Sequence, residues 1–120
     1  MDIIQGTVIK GKQRGKDLGF PTANVPLTKT IPEGIYISRI MVKDTAYPAL
    51  TFIGTAKTFH ETDYQAETYI LDFDKDIYNL SVSIHLLKKI RDNMQFASVE
   101  ELVAQMEDDT KMARAYFEKQ

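Results

Sequence analysis

The chain has 120 residues, 43% of them hydrophobic and 27% charged, a formal charge of −2 and no cysteine. These totals predict one soluble globular domain over 1–120 and exclude a disulfide framework, a thiolate zinc site and a thiol nucleophile; they permit a cytoplasmic location, and a monomer is the expectation without composition deciding it. No apolar run approaches the roughly 18 residues that span a membrane, the start reads as strand so no signal peptide is expected, and the mildly acidic balance argues against a nucleic-acid partner.

A β-like run starts at Ile3 and includes Val8 and Ile9. Lys10–Asn24 then departs from ordinary composition: Gly11, Gly15 and Gly19 recur every four residues among Lys10, Lys12, Arg14 and Lys16. The stretch stiffens at Phe20-Pro21, where proline fixes φ and keeps its neighbour extended. A basic glycine loop beside a rigid polar corner predicts a phosphate site with a metal next to it. Thr22 and Asn24, two residues apart on an extended segment, project oxygens to one side and suit a hard, mostly hydrated cation such as Mg²⁺. The plainer readings are a solvated hairpin for Gly11–Gly19 and turn formation for Thr22 and Asn24. Gly6–Lys12 follows the start of a Walker A pattern, but Gln13 replaces its Ser/Thr and the interior reads as strand, so a P-loop NTPase is rejected.

Val25–Ile31 reads as a connection, with Pro26 and Pro32 keeping it out of a central strand. Gly34–Val42 is a strand by composition, Lys43–Thr45 a turn, Tyr47–Ile53 the next strand, and Gly54–Asp63 is polar and irregular. Glu67–Phe73 alternates, with Glu67, Tyr69, Leu71 and Phe73 on one face and Thr68, Ile70 and Asp72 on the other. Glu67 is either a solvated rim carboxylate or a general base whose pKa is raised by partial desolvation.

Asp72, Asp74 and Asp76 begin an EF-hand spacing, but Ile77 and Ser83 stand at the required Gly and Glu, which leaves a hairpin turn. Leu80–Leu87 alternates Val82, Ile84 and Leu86 against Ser81, Ser83 and His85. His60 and His85 are isolated and are not assigned to a metal. Ile90–Phe96 is a connection whose Arg91, Met94 and Phe96 suit a planar aromatic ligand. Ser98 and Glu101 form a capping box, after which Val99, Leu102, Val103, Met106, Ala113 and Phe117 trace a helical stripe. The whole predicts a small antiparallel barrel or sandwich buttressed by one C-terminal helix.

In series, Gly19–Asn24, Gly34-Ile35-Tyr36, Ile53-Gly54-Thr55, Thr58-Phe59, Glu67-Thr68, Asp72-Phe73, Ile77-Tyr78, Ile90-Arg91, Phe96 and Ser98–Ala113 resemble the riboflavin kinase family, ATP-dependent enzymes that make FMN. The resemblance implies an all-β core (α+β by content): a six-stranded antiparallel β-barrel with a C-terminal α-helix. It further implies that Gly11, Lys16, Gly19, Pro21, Thr22, Asn24 and Tyr78 bind ATP. Thr22 and Asn24 would hold Mg²⁺ or another divalent cation, and Glu67 would be the catalytic base. Arg91, Met94 and Phe96 would lie at the flavin, with riboflavin/FMN and ATP/ADP as partners.

Tyr69 stands where the family often has His, Asn79 where Gly is common and Asn93 where Glu is frequent. Those departures motivate a rival, a non-catalytic flavin- or nucleotide-binding module of the same fold. No FMN adenylyltransferase domain is expected within these residues, so FAD synthesis is not predicted.

Overall fold

The computed structural model describes residues 2–9, 22–54 and 65–119. Among these residues six strands, β1 (Ile3–Thr7), β2 (Thr22–Pro26), β3 (Gly34–Val42), β4 (Thr45–Gly54), β5 (Gln65–Ile70) and β6 (Ser81–Arg91), precede one helix, α1 (Val99–Glu118). They form one sheet in the order β1-β6-β3-β4-β5-β2, and every pairing is antiparallel. Its two edges meet where the Ile9 amide donates to the Asn24 carbonyl at 2.8 Å, which makes the sheet a nearly closed barrel. The seam is tight at Gly6, where a Cβ would come within 2.8 Å of Val25 Cγ1.

Alternation sorts the strands into an inner and an outer face. Inside, Ile4, Val25, Tyr36, Ile40, Ile53, Ile70, Val82 and Ile84 pack together. Each buried isoleucine of this core contributes about 2–3 kcal/mol. Three hydroxyls cross the interior: Ser38 Oγ lies 2.8 Å from Thr51 Oγ1, which lies 2.9 Å from Thr68 Oγ1. On the outer face Ile35, Ile37 and Leu50, with Phe52 and Tyr69 beside them, receive Ala113, Tyr116 and Phe117 of α1. Arg39 lies over the Phe117 ring at 5.3 Å. The helix starts as its sequence requires, with Ser98 Oγ accepting from the Glu101 amide at 3.2 Å. Glu101 Oε2 accepts from the Ala97 amide at 3.1 Å, one residue earlier than the usual capping box.

Several boundaries differ from those read in the sequence. Thr22–Pro26 is a strand rather than a corner running into a connection, and Pro26 is accommodated because β2 is an edge of the hydrogen-bonded order. Strand β4 begins at Thr45, directly paired with Val42, leaving only Lys43 and Asp44 in the turn, with Lys43 at φ 56°. Strand β5 stops at Ile70, and the turn at Asp72, with φ 55°, separates Phe73 from the face that Tyr69 and Leu71 share. Leu71 joins the cluster under α1, whereas Phe73 packs on the interior cluster. Strand β6 runs on to Arg91 because the β3–β6 register shifts twice, between Ile35 and Tyr36 and between Ile37 and Ser38. The unpaired β6 residues, Leu87 and Ile90, both turn toward α1, which is why alternation is lost after Leu86.

Candidate active site

Cross-strand pairs share a face, so the register tells which side chains stand in line. Asn24 opposes Glu67, Glu67 opposes Phe52, Phe52 opposes Ile35 and Ile35 opposes Arg91. One row therefore crosses five strands of the outer face, from a carboxamide and a carboxylate over two apolar side chains to a guanidinium. At about 4.8 Å per strand, Glu67 and Arg91 are separated by roughly 14 Å along the sheet.

At the β2–β5 end of the row, Thr22 opposes Tyr69 and is half-buried, and Asn24 is 1% exposed. Strand geometry places Thr22 and Asn24 on one side of β2, as their spacing predicts. Among the described residues neither polar atom of the Asn24 carboxamide has a hydrogen-bond partner. A buried, unmet amide oxygen costs about 1–3 kcal/mol, which is a reason to expect a ligand on it. Glu67 is half-buried, and its Oε1 accepts from Gln65 Nε2 at 3.1 Å. Among the described residues no cluster of three His, Cys, Asp or Glu could cage a metal alone. A hydroxyl and a carboxamide oxygen beside a carboxylate fit a hard cation that keeps most of its waters and phosphate ligands, as Mg²⁺ does.

A cavity of about 400 Å³ opens on the inner side of the same strands. Thr22, Thr68 and Ile70 form one wall and the 73–78 turn, ending at Tyr78, the other. The Tyr78 amide donates to Asp76 Oδ1 at 2.9 Å, and the Asn79 amide donates to the Val8 carbonyl at 2.9 Å. Asn79 sits at φ 69°, a conformation that Asn adopts more readily than most non-glycine residues, so the substitution noted in the sequence keeps this turn. Thr22 borders both the cavity and the outer row, whereas Asn24 and Glu67 belong to the row.

At the far end, Arg91 closes β6 and the 92–97 segment forms a lip. Arg91 Nε donates to both oxygens of Asp109, at 3.0 and 3.2 Å, Nη2 donates to Oδ2 at 2.8 Å, and Nη1 donates to the Asp92 carbonyl at 3.2 Å. Its guanidinium lies 5.8 Å from the centre of the Phe96 ring, and Met94 is 47% exposed. Asp92 pairs with Lys89 at 2.7 Å, which holds its carboxyl below the usual carboxylate range and raises the Lys89 ammonium. Gly34 permits this crowding: a Cβ there would come within 2.8 Å of the Arg91 carbonyl, and its φ is +149°.

Of the predicted residues, the row thus joins Asn24 and Glu67 at one end to Arg91 at the other, Thr22 and Tyr78 line the cavity on the inner side, and Met94 and Phe96 lie in the lip that follows Arg91. Gly11, Lys16, Gly19 and Pro21 lie outside the described residues, as do Thr55, Thr58, Phe59 and His60. The sequence reading missed Phe52 and Ile35 as the floor between the groups, because only strand register reveals it. It also missed Asp109, whose signal was a carboxylate inside an apolar helical stripe.

A sequence model of the family described as "Flavokinase: Riboflavin kinase" matches residues 3–117. The "Trifunctional protein RibF/MnmA" of Mycoplasmoides gallisepticum is 41% identical over 98% of this chain, and the "Bifunctional riboflavin kinase/FMN adenylyltransferase" of Escherichia coli K12 is 37% identical over 95%. The chain spans 18% and 37% of those two relatives. Among solved structures, a Streptococcus pneumoniae chain described as a macrolide-efflux protein superposes with a TM-score of 0.82 at 34% identity, over 93% of this chain and 38% of that one. Riboflavin kinase from Trypanosoma brucei superposes with a TM-score of 0.66 at 27% identity, over 98% of this chain and 80% of that one. Among the described residues no helix is long and apolar enough to cross a membrane.

Proposed function

The chain belongs to the riboflavin kinase family, and we propose that it transfers the γ-phosphoryl group of ATP to the ribityl 5′-hydroxyl of riboflavin, giving FMN and ADP. The observation that supports this best is the row Asn24–Glu67–Phe52–Ile35–Arg91. A molecule with a planar apolar ring and a hydroxylated chain suits it end to end. The ring rests at the Arg91 and Phe96 lip beside the Ile35 and Phe52 floor, and the chain's terminal hydroxyl reaches Glu67.

The nucleotide enters from the other side of β2. Tyr78 and the cavity hold its base, and Thr22 leads the phosphates across the strand toward Asn24. Thr22 and Asn24 would hold a divalent cation, which would neutralise charge on the phosphate oxygens when bound. Glu67 accepts the proton of the 5′-hydroxyl as that oxygen bonds to the γ-phosphorus, and the bond to the bridging β-phosphate oxygen breaks, releasing ADP. Most of the acceleration in such a transfer is positioning, which a register-fixed pair of strands provides. Lys16, by resemblance, balances charge on the leaving phosphate.

Incubating the protein with riboflavin, ATP and Mg²⁺ and separating the flavins by chromatography tests the proposal. The expected result is FMN accumulating in equal amount with ADP and none without the divalent cation. Folded protein that forms no FMN would overturn it.

A further inference from the structure

Asp109 breaks the pattern of α1. It lies between Met106 and Ala113 in the apolar stripe and is 4% exposed. A carboxylate so buried requires partners, and it has them in Arg91 Nε and Nη2 and in Gln105 Nε2, the last at 3.0 Å and one helical turn earlier. Arg91 in turn meets the lip twice, by donating to the Asp92 carbonyl and by lying over the Phe96 ring.

Docking α1 on the barrel does not need this pair. Ala113, Tyr116 and Phe117 already pack on the outer cluster, and a buried ion pair is often no more stabilising than apolar groups of the same size. A two-pronged contact does something that apolar packing cannot: it fixes the plane of the guanidinium. That plane matters where a flat group lies against it, and the lip is such a place. Pairing also cancels the charge of Arg91, so the lip offers an uncharged ring a flat surface without an unmet cation.

We propose that Asp109 is a positioning residue for the flavin ring, acting through Arg91, with Gln105 holding the Asp109 carboxylate in place. This rests on the assignment of the lip to the flavin made above. The test compares wild type with Asp109→Asn, Gln105→Ala and, as a control, Arg114→Ala. Arg114 is another α1 residue tied to the barrel, through Asp72 at 2.8 Å, and makes no lip contact among those described.

Kinetics against each substrate, quenching of riboflavin fluorescence on binding, and thermal melts are measured for all four. Asp109→Asn is expected to raise the riboflavin KM and Kd roughly tenfold, and Gln105→Ala roughly two- to threefold. The ATP KM and kcat stay within about twofold, and Arg114→Ala leaves every kinetic constant unchanged. A riboflavin KM that stays put while the melting temperature falls, or equal losses toward both substrates, would overturn the inference. If Asp109→Asn does not fold, Gln105→Ala decides: an unchanged riboflavin KM there overturns it. Wild type that neither binds riboflavin nor forms FMN overturns the functional reading and takes this inference with it; active wild type with unaffected variants sinks this inference alone.

Discussion

Asn24 and Glu67 face each other across the β2–β5 pair, a buried carboxamide with no hydrogen-bond partner among the described residues opposite a half-buried carboxylate. In the proposed reaction the first holds the cation and the second takes the proton, and their register sets the distance between the two tasks. Glu67→Gln keeps the shape of the side chain and removes only its basicity. It is expected to lower kcat by roughly 10²–10⁴-fold, the usual worth of general-base catalysis, with riboflavin Kd changed less than about twofold. Single-turnover FMN formation checks the first figure and fluorescence quenching the second; near-normal turnover would remove Glu67 from the mechanism.

Asn24→Leu should separate stability from activity. The buried carboxamide carries an unmet desolvation cost, so an apolar side chain of similar volume is expected to keep or raise the melting temperature. FMN formation is expected to fall at least about a hundredfold, because a cation ligand acting on the transferring phosphoryl group is lost. Melts in the absence of cation and nucleotide, run beside the activity assay, read both. A melting temperature lowered by several degrees would mean that the carboxamide is already bonded.

Thr51 is the middle member of the Ser38–Thr51–Thr68 hydroxyl line. Thr51→Val strands both neighbours and is expected to destabilise by about 1–3 kcal/mol in urea unfolding. Adding Ser38→Ala to Thr51→Val should cost less than the sum of the single changes, since the second substitution removes an orphan that the first created. Strict additivity would indicate that the hydroxyls are not coupled.

The Arg114–Asp72 pair gives a pH signature. Hydrogen bonding to Arg114 lowers the Asp72 carboxyl below its ordinary value of 3.8. A depressed carboxylate contributes stability that is fully present above the unfolded value and is lost as pH falls through the folded one. The melting-temperature difference between wild type and Arg114→Ala should therefore be constant from neutral pH down to about pH 5 and vanish at the acid end. Both partners are exposed, so the difference is small and shrinks further in roughly 1 M salt. A difference that persists at the acid end would contradict the assignment.

The fold was legible wherever local chemistry decides. Gly34–Val42 has the composition of a strand, Ser98 with Glu101 announces α1, and Val82, Ile84 and Leu86 alternate as half-buried strands do. What escaped the sequence depends on pairing. The two register shifts carry β6 past Leu86 without any Gly or Pro to mark them. Pro26 hid β2, because a proline rules out a central strand but not an edge. Thr22 and Asn24 could be placed on one side of an extended segment from spacing alone. That Glu67 stands opposite Asn24, and Arg91 three strands beyond, is a property of register and is invisible until the sheet is built.

The same pairing bears on how the chain is made. Among the described strands β1 pairs only with β6, Ile3 opposite His85. As the polypeptide emerges from the ribosome, strands β3, β4 and β5 can associate with one another while β1 waits for a partner not yet translated. Until β6 appears, Ile3–Thr7 is an open edge, the kind of segment that recruits foreign strands. Gln5 and Gly6 interrupt its apolar run, which makes it a poor template during that interval.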